Sequence, residues 1–139
     1  MIQFQLQDFA FESLHFRRIA ASHPAKESSE PIEINQRIRI RGDLQESTMS
    51  VSLAVEIGEP GLPFEVGVHL VGQFLFSEIP VQQELDQIVQ VNCAAILFPF
   101  VREAIAELTR KGGIGPILLP PLNFVELHRE SKSAVLEPR

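Results

Sequence analysis

Met49, Val51, Leu53, Val55 and Ile57 alternate with Ser50, Ser52, Ala54 and Glu56, a strict period of two that predicts a strand with one buried face. Burying those five side chains would contribute on the order of 10 kcal/mol, an upper bound at about 1.5–3 kcal/mol each. Gly58-Glu59-Pro60-Gly61 reads as a turn, after which Phe64, Val66, Val68, Leu70, Phe74 and Phe76 share one phase. The opposite phase holds Glu65, Gly67, His69, Val71, Gln73 and Leu75. Upstream, Ile34, Ile38 and Ile40 keep the same phase around Arg37, Arg39 and Arg41, and Gly42-Asp43 is expected to turn the chain. Short connections between these three strands predict an antiparallel meander. In the first strand Ile2, Phe4 and Leu6 agree, Phe9 and Phe11 slip by one, and Leu14 and Phe16 slip back. A one-residue slip turns an apolar set to the wrong face unless a bulge absorbs it, so bulges are expected near Asp8 and Ser13.

Ala20 to Pro31 is rich in Ser and Pro and reads as an irregular crossover. From Pro80 the period becomes helical: Leu85, Ile88, Val89, Ile96 and Phe100 lead into a stripe at Val101, Ala104, Ile105 and Leu108. Arg110 and Lys111 suit a helix C-terminus, and Gly112-Gly113 suits its left-handed stop. Pro99 lies inside this run, where an ideal helix would lose about 3 kcal/mol, and a kink is the simplest resolution. Asn123 and Glu126 have capping-box spacing for a last short helix through Arg129, with a polar tail from Glu130. The expectation is an α+β domain over residues 1–130 with a polar tail at 131–139: a four-stranded antiparallel sheet carrying a long kinked helix and a short C-terminal helix on one face.

The 139 residues suffice for one core, and a net charge of −6 argues against nucleic acid, which needs a basic stripe. Arg37, Arg39 and Arg41 form the only dense basic cluster, read as a solvated strand face. The single cysteine, Cys93, lies in an apolar run and reads as a buried, inert thiol. No charged-then-apolar leader opens the chain, and the run Cys93–Val101 is half a membrane span, so a cytoplasmic protein without direct membrane insertion is expected.

The nucleophile elbow, the P-loop, the dinucleotide glycine triplet and the His-Glu-x-x-His pair are all missing. Gly112-Gly113-Ile114-Gly115 follows a helix, which makes it a helix stop rather than a phosphate cradle. His15, His23, His69 and His128 lack ligand spacing, and His69 with Glu65 is a pair without a nucleophile. Arg102-Glu103 reads as an ion-pair contributor at a helix interface. No catalytic residue, metal or cofactor is expected. The surplus of apolar faces points instead to homo-oligomerisation or apolar client binding.

The run Ile96-Leu97-Phe98-Pro99-Phe100-Val101-Arg102-Glu103, then Leu108-Thr109-Arg110-Lys111-Gly112, then Pro120-Pro121-Leu122-Asn123-Phe124, resembles the C-terminal half of SecB-type protein-export chaperones. The resemblance is strong over residues 92–128 and rests on strand order and the bulged first strand elsewhere. It implies an ATP-independent holdase for unfolded or precursor polypeptides, built as a homotetramer, a dimer of dimers whose long helices are clamped between the pairs. It also implies an oligomer interface at Val66, Val68, Leu70, Phe100 and Ile105, and a client groove at Ile38, Ile40, Phe124 and Leu127. His128 stands where the family places its next aromatic residue. Acids that bind the export motor SecA in the family are replaced here by Ser13, Arg17 and Gly67, and the acidic tail is not evident, which puts SecA as a partner in doubt. Two other readings stay open: a SecB-like chaperone dedicated to one partner, such as the antitoxin of a toxin–antitoxin system, and a small-molecule-binding α+β domain.

Overall fold

The computed structural model describes residues 2–20 and 34–135, the last five of them by backbone alone. Four strands, β1 (Phe4–Arg18), β2 (Gln36–Gln45), β3 (Thr48–Ile57) and β4 (Phe64–Phe76), form one sheet in the order β1-β4-β3-β2. Every pairing is antiparallel. A continuous helix follows, made of α1 (Gln82–Gln87), a π turn (Ile88–Cys93) and α2 (Ala94–Lys111), and α3 (Phe124–Val135) ends the described chain. The architecture is the expected α+β fold. The crossover expected at Ala20–Pro31 lies, but for Ala20, outside the described residues.

Alternation dictates the layers. The row Met49, Val51, Leu53, Val55 and Ile57 is buried throughout, as are Phe64, Val66, Val68, Leu70, Phe74 and Phe76. Register shifts fall between Leu6 and Asp8 and between Phe11 and Ser13, where the slips in the β1 pattern required them. These bulges return Phe9, Phe11, Leu14 and Phe16 to the same face of the sheet as Phe4 and Leu6. Leu85, Val89, Cys93, Leu97, Val101 and Ile105 give the helix a buried stripe against that inner face.

Two expectations are corrected. Gly42-Asp43 is not a turn: both residues lie within β2, and the hairpin closes at Glu46-Ser47 with Glu46 at φ 59°. Gly42 is needed where β2 passes beneath the π turn, because a Cβ there would lie 3.0 Å from Val89 Cγ1 and 3.1 Å from Met49 Sδ. Pro99 is exposed within α2, and α-helical geometry also gives way upstream, in the π turn. The second correction is that α3 continues past Arg129 to Val135, since no Gly or Pro interrupts Glu130–Val135.

The end of α2 is fixed twice. Gly113, at φ 80°, donates to the Arg110 carbonyl and Ile114 to that of Thr109, the paired bonds of a Schellman stop. Thr109, fully buried, donates its hydroxyl to the Ile105 carbonyl (2.8 Å) and accepts from the Ile117 N–H (2.9 Å), which ties the following loop to the helix.

Gly42→Val should lower stability by about 1–3 kcal/mol through overpacking. The urea midpoint should fall with its slope unchanged; an unchanged midpoint would mean that the π turn can withdraw from β2 freely.

Candidate functional site

Apolar positions assigned to assembly divide into two groups. Val66, Val68, Leu70 and Ile105 are at most 1% exposed within the single chain. Leu97 lies directly over β4 at Gly72, 2.7 Å from where a Cβ would stand. Side chains this fully covered have no surface left for a second subunit, so any part they take in assembly runs through the core that seats α2. Phe100 differs. It is half-buried and stacks on Phe9 at 4.2 Å between ring centroids, and Phe9 meets Phe11 edge-on at 6.5 Å. Beyond them the surface stays apolar, with Phe11 38% and Leu14 47% exposed on the inner side of β1. Phe11 and Leu14 were missed as site residues although the two bulges, legible in the pattern, place them on this face.

Residues assigned to the groove lie on two sides of the π turn, which packs against both β2 and α3. Ile38 and Ile40 are half-buried on the inner face of β2, and Gln90 of the π turn donates to the Ile40 carbonyl at 3.1 Å. On α3, Leu127 is half-buried, but Phe124 is only 4% exposed, its ring edge-on to Phe98 at 5.6 Å. Phe124 therefore anchors α3 to α2 rather than lining an open surface. The Asn123 side chain caps this helix, accepting from the Glu126 N–H at 3.1 Å; the Glu126 carboxylate pairs with Arg129 at 3.2 Å instead of closing the capping box. His128 places Nε2 3.7 Å from the Asp86 carboxylate, too far for a hydrogen bond, and that nitrogen is buried without a partner. Val81, Leu118 and Val125 are the most exposed large apolar side chains around these elements.

The outer sheet face is polar. Ser13, Arg17 and Gly67 all lie on it: Arg17 pairs with Glu65 at 2.9 Å, and the His15 ring covers Gly67. Among the described residues Arg102 and Glu103 form no ion pair, and no cluster of three His, Cys, Asp or Glu could hold a metal. His23 lies outside the described residues. Cys93 is fully buried, and burial pushes its thiol up to about 12, as befits an inert core residue. By length and hydropathy alone Gln82–Lys111 would pass as a membrane span; here its apolar stripe lies in the core.

Residues 1–135 match the family model described as SecB, preprotein translocase subunit SecB. A protein-export protein SecB from Bradyrhizobium diazoefficiens is 32% identical over 126 residues, covering 86% of this chain and 76% of the relative. One from Afipia carboxidovorans is 30% identical over 135 residues, covering 95% and 81%. Among solved structures, a SecB-like chaperone from Mycobacterium tuberculosis, in complex with a ChAD peptide from the HigA1 antitoxin, superposes with a TM-score of 0.71 at 17% identity. That match covers 86% of this chain and 90% of the other. A protein of unknown function from Streptococcus agalactiae reaches 0.56 at 13% identity over 86% and 98% of the two chains.

Cys93 gives a pH signature. Its folded pKa is raised, so its contribution to stability is complete below the unfolded thiol's value of 9.0 and is lost as pH rises toward about 12. The urea midpoint should fall between about pH 8 and about pH 10, and Cys93→Ala should flatten that part of the fall. Equal slopes in both proteins would assign the effect to other groups.

Proposed function

The chain belongs to the SecB family, and on that premise we propose that it is an ATP-independent holdase that keeps unfolded polypeptides from aggregating. The observation that carries this reading is apolar surface left over after the core is complete. Phe11 and Leu14 extend the Phe9–Phe100 stack along β1, and Val81, Leu118 and Val125 stand exposed near the two ends of the helical layer. A soluble monomer gains nothing from such surface; a second copy or an unfolded chain can cover it.

The two areas divide the work. At β1, an edge strand with Phe11 and Leu14 beside it, a second copy docks, and Phe100 continues that contact onto α2 toward a homotetramer built as a dimer of dimers. Around the π turn, Ile38, Ile40 and Leu127 supply an apolar strip for clients, with Phe124 holding α3 in place beside it. Binding by desolvation of apolar side chains needs no cofactor and no catalytic group, and it tolerates many client sequences. The protein is assigned to the cytosol with the rest of this reading. Docking to SecA through the outer sheet face has little support, since Arg17 is neutralised by Glu65 and Gly67 is covered.

A dedicated role is the second reading. It is favoured by the likeness of fold to a SecB-like chaperone that holds an antitoxin peptide, together with the weakened SecA surface. Affinity capture separates the two: many unrelated polypeptides for a general holdase, one small protein for a dedicated one.

Suppression of a chemically unfolded model client's aggregation, without ATP, should accompany a light-scattering mass near four times 15.6 kDa. An inert monomer would sink the proposal. Leu14→Asp should reduce the assembled mass while leaving the far-ultraviolet spectrum of a folded chain, because it charges exposed surface. Val68→Asp should instead abolish folding, since it buries an unpaired carboxylate in the core, a loss of about 3–5 kcal/mol. A folded, smaller Val68→Asp species would return β4 to the interface.

A further inference from the structure

Strand register arranges the outer sheet face in rows across β2, β3 and β4: Arg37–Glu56–Gly67, Arg39–Ala54–His69, Arg41–Ser52–Val71 and Asp43–Ser50–Gln73. In the two middle rows the central strand carries only Ala54 and Ser52. A shallow trough therefore opens along β3, with Arg39 and Arg41 on one wall and His69 on the other.

The trough has unused donors. Glu56 takes one nitrogen of Arg39 at 3.2 Å and lies 3.6 Å from Arg37, whose second nitrogen donates to the Gly58 carbonyl at 2.8 Å. Arg41 pairs with no carboxylate among the described residues, although Asp43 follows two positions along the same strand face. Each guanidinium carries five N–H donors in a fork that fits a carboxylate, so Arg41 entirely and Arg39 in part remain open to an anion. The chain as a whole carries −6 and repels polyanions. Attraction at this trough is therefore local, within a screening length of about 8 Å.

We propose that the trough binds an acidic polypeptide segment in extended conformation, with Arg41 and Arg39 as its carboxylate-binding cations. Residues two apart on a strand are about 6.7 Å apart, and alternate carboxylates of an extended peptide recur at that same distance. Nucleic acid fits less well. Every Phe of β1 and β4 belongs to the inner rows, so the outer face of these strands offers bases no phenyl ring to stack on, only the imidazoles of His15 and His69. The trough lies on the opposite side of the sheet from α2 and the client strip, so it stands apart from the holdase reading.

Fluorescence anisotropy with labelled decaglutamate tests this on the full chain. The wild type should bind and labelled decalysine should not. Arg39→Ala/Arg41→Ala should weaken binding by about tenfold or more, as loss of charge-assisted pairs predicts. Arg110→Ala/Lys111→Ala, which removes the same charge at the end of α2, should leave it unchanged. No binding by the wild type, equal weakening in both double variants, or equal affinity for a single-stranded oligonucleotide would each overturn the proposal. Aggregation suppression by Arg39→Ala/Arg41→Ala should match the wild type, so failure of this site and failure of the holdase reading are distinguishable.

Discussion

Everything in this protein depends on one contact, the apolar stripe of α2 laid across β4 and β3. Leu97 seats over Gly72, and Val101 and Ile105 follow at helical spacing, all fully buried. The helix is one of two layers, so without it the sheet's inner rows would face water and no second element could cover them. The same contact explains the oddities around it. Cys93 and Ala94 are small where the π turn gives way to α2, Gly42 is bare where β2 passes beneath that turn, and Thr109 closes the far end by gripping the loop that leads to α3.

Covering is incomplete by geometry. A single helix is about 10–12 Å wide with its side chains, while four strands at about 4.8 Å spacing span more than that. α2 protects the two central strands and leaves the flanks to other means. On the β2 side the π turn and α3 lean in, and Gln90 satisfies an edge carbonyl at Ile40. On the β1 side Phe100 reaches across to Phe9 and the Phe16 ring packs against Gly112 at the end of α2, but between them the apolar row stays exposed at Phe11 and Leu14. This layout leaves apolar surface on β1 that the helical layer does not cover.

Much of this was legible in the sequence, and the failures have physical causes. The buried rows of β3 and β4 and both bulges of β1 followed from period two, because a slip of one residue costs the whole inner face. The β2–β3 hairpin was misplaced because Gly-Asp is a common turn pair and Glu-Ser is not. In the fold the glycine answers a steric demand from Val89, a residue 47 positions away, while Glu46 accepts a left-handed φ to close the turn. The candidate site residues meet the same limit of sequence reading. Val66, Val68 and Leu70 are apolar enough for an interface, but an apolar row does not say whether its own helix or a neighbour's covers it. Phe124 sets its ring edge-on to Phe98, a contact that no pattern along the chain announces.

The two sheet faces then separate two kinds of recognition. On the inner side the unused surface is apolar, and apolar surface attracts by excluding water, without regard to sequence. On the outer side the rows are polar and small at the centre, and whatever binds there is selected by charge and by the pitch of a strand. Arg17 on this face is paired with Glu65, while Arg39 and Arg41 give its β2 side a positive sign. Because the core lies on the other side, substitutions on this face alter its charge without disturbing α2. A single fold can thus keep an apolar surface on one side of its sheet while the charge on the other side varies independently.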